Sequence, residues 1–111
     1  MERPIRVVEY LDPHGRSPFR RWFARLNAPA AAKVATALYR VEQGNTSSAK
    51  AVGAGVSELR IDFGPGYRVY FARDGATLVI LLGGGTKKRQ GADISGARNS
   101  WFEYRRRKAG G

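Results

Sequence analysis

The sequence predicts a single α+β domain in the order β-α-α-β-β-β-α: a curved antiparallel sheet with an N-terminal helical hairpin and a C-terminal helix packed on it. Three observations lead there. Two early segments repeat apolar residues at helical spacing behind proline-bearing caps. Residues 56–63 and 67–72 alternate apolar and polar around Gly64-Pro65-Gly66, the mark of a half-buried hairpin. The chain has 111 residues, enough for one core and too few for two.

Residues 5–11 (IRVVEYL) are rich in β-branched side chains and read as the first strand. Asp12-Pro13-His14-Gly15 is a turn cluster. Ser17-Pro18 then supplies an N-cap and a first-turn proline. Phe19, Trp22, Phe23 and Leu26 form one stripe of a short helix, with Arg20, Arg21 and Arg25 on its other side. Asn27 caps a second helix with stripe Val34, Leu38 and Val41, and Gly44 stops it. The short connection predicts that the two helices form an antiparallel pair. Residues 44–55 (GNTSSAKAVGAG) read as a loop of small residues.

In the hairpin that follows, Leu59, Ile61 and Phe63 fall on one face with Tyr67, Val69 and Phe71. A two-residue loop would mix these with charged residues, whereas a three-residue loop keeps one face apolar. The expected register therefore sets Phe63 opposite Tyr67 and Arg60 opposite Tyr70, with Gly66 at positive φ. Asp74-Gly75 signals a second, two-residue hairpin turn. Residues 77–82 (TLVILL) are apolar on both faces and should form the most buried strand. Gly83-Gly84-Gly85 is expected to end it and to let the backbone approach a neighbour; its spacing is not that of a nucleotide-binding loop. Residues 92–104 predict a last helix with Ile94, Ala97 and Trp101 on one face. The domain is expected to span residues 1–104, followed by a disordered basic tail, residues 105–111 (RRRKAGG).

Composition narrows function. Twenty Lys and Arg stand against nine Asp and Glu, a net charge of +11, which favours a polyanion or an acidic protein as partner. There is no Cys and one His, which excludes a disulfide scaffold, a thiolate nucleophile and a multi-histidine metal site. No metal or other cofactor is expected. The sequence shows no signal peptide and no apolar run of membrane-spanning length, so a soluble cytoplasmic protein without membrane contact is expected.

With the helices on one face of the sheet, the opposite face is expected to be open. Glu58, Arg60, Asp62, Arg68 and Tyr70 project there by alternation, and Lys87, Lys88 and Arg89 follow the central strand. Guanidinium groups bind phosphate through paired donors, ammonium adds point charge, and a tyrosine ring offers a surface for a base. A two-histidine ribonuclease is impossible with His14 alone, and no carboxylate cluster has the spacing of a two-metal nuclease. Any phosphodiester cleavage should then use the RNA 2′-hydroxyl as nucleophile, with cations stabilising developing charge. Acid or base duty would fall to Glu58, Asp93, Tyr70 or a lysine of lowered pKa. Arginine, which stays protonated, is excluded as base.

The ordered series Gly55-Val56-Ser57-Glu58-Leu59-Arg60, Gly64-Pro65-Gly66-Tyr67-Arg68-Val69-Tyr70-Phe71, Val79-Ile80-Leu81-Leu82-Gly83-Gly84-Gly85 with Lys87-Lys88, and Asp93-Ile94 resembles the RelE/ParE superfamily of bacterial toxins. The match is closest to the HigB-like addiction module killer branch. The resemblance implies a toxin neutralised by a cognate antitoxin, typically a small helix-turn-helix protein, in a hetero-oligomer. It further implies metal-free cleavage of mRNA on the ribosome. Carried onto this chain, it gives Arg60 and Arg68 the scissile phosphate and Lys87 or Lys88 the transition state. Glu58, Tyr70 and Arg89 are expected to bind the substrate by their place on the face read from alternation. Some relatives carry a tyrosine on the last segment where this chain has Asp93, which could serve as acid or base or simply cap the last helix. The ParE branch implies the alternative, a DNA gyrase inhibitor without catalysis. A third reading is a plain nucleic-acid-binding module acting through Arg105–Lys108.

Overall fold

The Ser17 hydroxyl accepts the Arg20 amide at 2.9 Å and so opens α1 (Pro18–Phe23). The Asn27 side chain does the same for the Ala30 amide at 2.9 Å and opens α2 (Ala28–Glu42). Both caps satisfy amides that the first helical turn leaves without partners. The computed structural model describes residues 5–110. Its remaining elements are β1 (Arg6–Glu9), β2 (Ala49–Gly53), β3 (Val56–Ile61), β4 (Tyr67–Asp74), β5 (Leu78–Thr86), a 3₁₀ turn (Lys87–Arg89) and α3 (Gln90–Gly110).

The five strands form one sheet in the order β1-β5-β4-β3-β2. It is mixed rather than antiparallel, because β1 runs parallel to β5, with Val8 opposite Ile80. The chain leaves β1, makes both helices and re-enters at the far edge as β2. That edge strand lies within the segment expected as a loop and pairs antiparallel with β3.

The β3–β4 hairpin keeps the expected alignment of faces but not the expected turn. Ile61 pairs with Tyr67, Leu59 with Val69 and Arg60 with Arg68, so the loop comprises residues 62–66, two longer than expected. A shift of two preserves parity, which is all that burial of one apolar face demands. Gly66 has φ +81°, as the turn requires. The β4–β5 turn is also longer than expected: Asp74 pairs with Leu78, which leaves three residues between them.

Helices cover both faces of the sheet, and this corrects the expectation of an open face. On one side Phe19, Trp22, Ala30, Val34 and Val41 of α1 and α2 pack with Leu59, Ile61, Tyr67, Val69, Phe71, Val79 and Leu81. On the other, Ala97 and Trp101 of α3 pack with Val56, Tyr70, Ala72, Ile80 and Leu82. β5 does not end at its glycines but continues through them. A bulge between Tyr70 and Phe71 shifts the pairing so that Tyr70 meets Gly83 while Phe71 meets Leu81. The extra residue reverses which side of β5 faces which helix. Gly84 then lies beneath Trp22, where a Cβ would stand 2.2 Å from the indole. Gly85 faces α3, where a Cβ would stand 1.9 Å from Asp93 Oδ2. The expected close approach is present on both faces, at successive residues.

Residues 105–110, expected to lie in a disordered tail, continue α3. Lys108 Nζ reaches Asp74 Oδ2 at 2.6 Å, and Arg107 Nη2 donates to the Leu11 carbonyl at 2.5 Å. Tyr104 and Tyr10 add hydroxyl bonds to Asp74 and Glu103. No helix among the described residues is long and apolar enough to cross a membrane.

Candidate functional site

Arg60 on β3 and Arg68 on β4 stand directly opposite one another on the face that α3 partly covers. Like charges opposed across strands are unfavourable, so the pair departs from what stability alone would choose. Their surroundings differ. Arg60 is exposed beyond the cover of α3, whereas Arg68 is only 3% exposed. Both line a hollow of about 330 Å³ at the end of the sheet, whose rim is the Gly64-Pro65-Gly66 loop and Lys87. The Lys87 amide donates to the Gly66 carbonyl at 2.9 Å, which ties the 3₁₀ turn after β5 to the β3–β4 loop. Three cations therefore line the hollow with one carboxylate, Asp62, while Glu58 pairs with Arg68 from behind the lining. Such an arrangement suits an anion that Arg60 and Lys87 contact and that the fixed charge of Arg68 attracts.

A buried polar cluster lies beside the hollow under the first turns of α3. The Glu58 carboxylate is 3.7 Å from Arg68 Nε and accepts the Gln90 side-chain amide. Arg68 Nη1 donates to the Tyr67 carbonyl at 3.0 Å. Glu58 is 1% exposed and Tyr70 fully buried. Three interior polar atoms, Arg68 Nε, Tyr70 Oη and Asp93 Oδ2, lack a well-formed hydrogen bond. Glu58 nonetheless sits near enough to Tyr70 to disfavour its ionisation. Burial pushes the phenol well above its usual range, and the charges of Glu58 and Asp93 push it further. Burial also raises Asp93, with Arg89 opposing. Asp93 leans on Gly85, the β5 neighbour of Arg68, so it joins this interior group rather than the rim of the hollow.

The fold thus divides the residues singled out from the sequence. Arg60, Arg68 and Lys87 converge on the hollow. Lys88 and Arg89 are exposed on the adjoining turn and are not among the residues lining it. Glu58 and Tyr70, expected to face a ligand, are interior because α3 covers the second face; Glu58 pairs with Arg68, and the Tyr70 hydroxyl has no well-formed hydrogen bond there. Sequence reasoning missed Gln90, because the helix was expected to begin at residue 92. It also missed the Gly64-Pro65-Gly66 loop as a wall of the site, although two glycines around a proline are a sign of backbone held close to something. No three His, Cys, Asp or Glu side chains converge as a metal site among the described residues.

Comparison with known proteins adds a family. Residues 21–98 match the family model described as phage derived protein Gp49-like (DUF891). An uncharacterized protein of Haemophilus influenzae is 44% identical over 81 residues, 72% of this chain and 82% of the relative. The matched region runs from α1 to the middle of α3 and includes every residue of the hollow. By this match the chain belongs to the Gp49-like family of phage-derived proteins, a family associated with toxin–antitoxin systems.

Proposed function

We propose that this protein is the toxin of a toxin–antitoxin pair and that it inhibits translation by cutting mRNA on the ribosome. The observation that carries the reading is the convergence of Arg60, Arg68 and Lys87 on one hollow. In the proposed reaction the RNA 2′-hydroxyl attacks the adjacent phosphorus and the bond to the 5′ oxygen breaks. One proton leaves the 2′-hydroxyl and one joins the leaving oxygen, giving a 2′,3′-cyclic phosphate and a 5′-hydroxyl end. Arg60 and Lys87 contact the phosphoryl oxygens, and Arg68 supplies fixed positive charge as negative charge accumulates. Glu58 and Gln90 hold Arg68. A cognate antitoxin, typically a small helix-turn-helix protein, is the proposed neutralising partner.

The burial of Arg68 favours a second reading, a gyrase inhibitor that uses the same surface without chemistry. One experiment separates the two: induction in cells lacking antitoxin, with mRNA 5′ ends mapped and plasmid supercoiling measured. The expected result is new 5′-hydroxyl ends within coding regions, lost in R60Q/K87Q. Intact transcripts together with relaxed plasmids would overturn the proposal in favour of gyrase.

A further inference from the structure

A second cavity, of about 400 Å³, lies between α2 and the end of β3, where β2 no longer covers the sheet edge. Its volume is within the range of small-ligand sites, roughly 300–1,000 Å³. Lys33, Thr36, Ala37 and Arg40 of α2 form one wall. They stand at i, i+3, i+4 and i+7, a single stripe of the helix. Arg60 and Asp62 line this cavity and the hollow alike, so the two adjoin at Arg60.

Charge and spacing argue for one kind of occupant. Lys33, Arg40 and Arg60 are exposed, and none forms an ion pair among the described residues. Lys33 stands 5.6 Å from the centroid of the Phe63 ring, which lines the hollow. Asp62 is the only carboxylate in the lining. Lys33 and Arg40 are two turns apart, about 10 Å along the helix axis. A single phosphate meets both only if the two long side chains lean together. A chain of phosphates meets each one where it stands, and Arg60 would meet the chain where it passes into the hollow. No aromatic side chain is among the residues lining the cavity; exposed Tyr39 flanks Arg40 on the same helix but does not line it.

We infer that this trough binds the phosphodiester backbone of single-stranded RNA flanking the nucleotide held in the hollow, with Lys33 and Arg40 each meeting a different phosphate. The inference rests on the RNA reading of the hollow and extends it along the strand. Each phosphate neutralised on a single strand contributes about 0.7 to the slope of log affinity against log salt. Two lost contacts should flatten that slope by about 1.4, which corresponds to roughly tenfold weaker binding near 0.15 M salt.

The test uses fluorescence anisotropy with full-length protein and labelled RNA of three and twelve nucleotides, 2′-O-methylated to prevent cleavage, across a salt titration. K33Q/R40Q should lose the stated slope on the twelve-mer and bind the three-mer as the wild type does. R60Q/K87Q should weaken both. If K33Q/R40Q leaves the twelve-mer slope unchanged while R60Q/K87Q lowers it, the trough is not an RNA site and the reading of the hollow survives. If the wild type binds neither RNA, the inference about the trough is overturned, and the reading of the hollow is decided by the mapped 5′ ends, since the proposed cleavage takes place on the ribosome. If K33Q/R40Q impairs capture of the purified antitoxin while RNA slopes stay intact, the trough belongs to the protein partner and the inference is overturned.

Discussion

Arg68 shows how one residue can be legible in sequence and still be misplaced. Alternation along residues 67–72 places it correctly on the face opposite Val69 that also carries Arg60, but the expected register sets Arg60 against Tyr70 rather than against Arg68. It could not tell that α3 would close over that face, because Arg68 and Tyr70 give the face a polar pattern. Glu58 makes the arrangement tolerable. A guanidinium removed from water needs a counter-charge, and Glu58 at 3.7 Å is the carboxylate that pairs with it. E58Q keeps the shape and removes the charge, leaving a buried cation. It should cost about 3 kcal/mol or more in urea unfolding. E58L/R68M removes both charges at similar volume and should recover most of that loss, while abolishing growth inhibition. Equal stability of E58Q and wild type would show that Arg68 does not depend on Glu58. The same reasoning explains Gly84 and Gly85. Their run was visible as a place of close approach, but the bulge that aims them at Trp22 and Asp93 is a property of pairing, which no local pattern encodes.

At the scale of elements, α3 makes the sharpest contrast with expectation. The run Arg105–Arg106–Arg107–Lys108 has the composition of a solvated tail, yet Lys108 and Arg107 fasten the helix end to Asp74 and to the Leu11 carbonyl. Deleting residues 105–111 should therefore destabilise the fold by on the order of 1 kcal/mol, where loss of a disordered tail would cost nothing. The acid limb of stability should change with it. The Lys108 and Tyr104 bonds hold the Asp74 carboxyl below its usual value of 3.8. A lowered carboxyl contributes stability that is present above pH 3.8 and is lost as pH falls below it. Without Lys108 that contribution shrinks, so the gap between wild-type and truncated chains should narrow as pH falls from 5 to 3. A gap that stays constant over this range would assign the loss to helix length rather than to the Asp74 contact. Among the other elements, both caps and both early helices were readable because Ser17, Asn27 and the two prolines act locally. β2 was not, since Ala49, Lys50, Ala51 and Gly53 are weak strand formers; β3 recruits them by offering its open edge. The parallel pairing of β1 with β5 is likewise a matter of topology, fixed only once α1 and α2 carry the chain across the sheet.

Over the whole molecule, the net charge of +11 pulls function and stability apart. A compact domain with this excess repels itself, and four ion pairs among the described residues offset little of it. The exposed cations around the hollow and the trough, Lys33, Arg40, Arg60 and Lys87, add to the repulsion without carboxylate partners that would hold them. Folding does not account for their concentration, whereas the proposed RNA ligand would. Two consequences can be measured together. Sodium chloride shortens the screening length from about 30 Å at 0.01 M to about 10 Å at 0.1 M, so the melting temperature should rise over that range. Sodium chloride is the right salt for this purpose, since sulfate would stabilise by exclusion from the surface as well. R60Q/K87Q should melt higher than the wild type at low salt and converge on it as salt increases, while being inactive in growth inhibition. A variant that is more stable and dead is the signature of side chains kept for a ligand at a cost to the fold. If the wild type instead melts lower as salt is added, its ion pairs outweigh its repulsion, and the exposed cations would need another explanation.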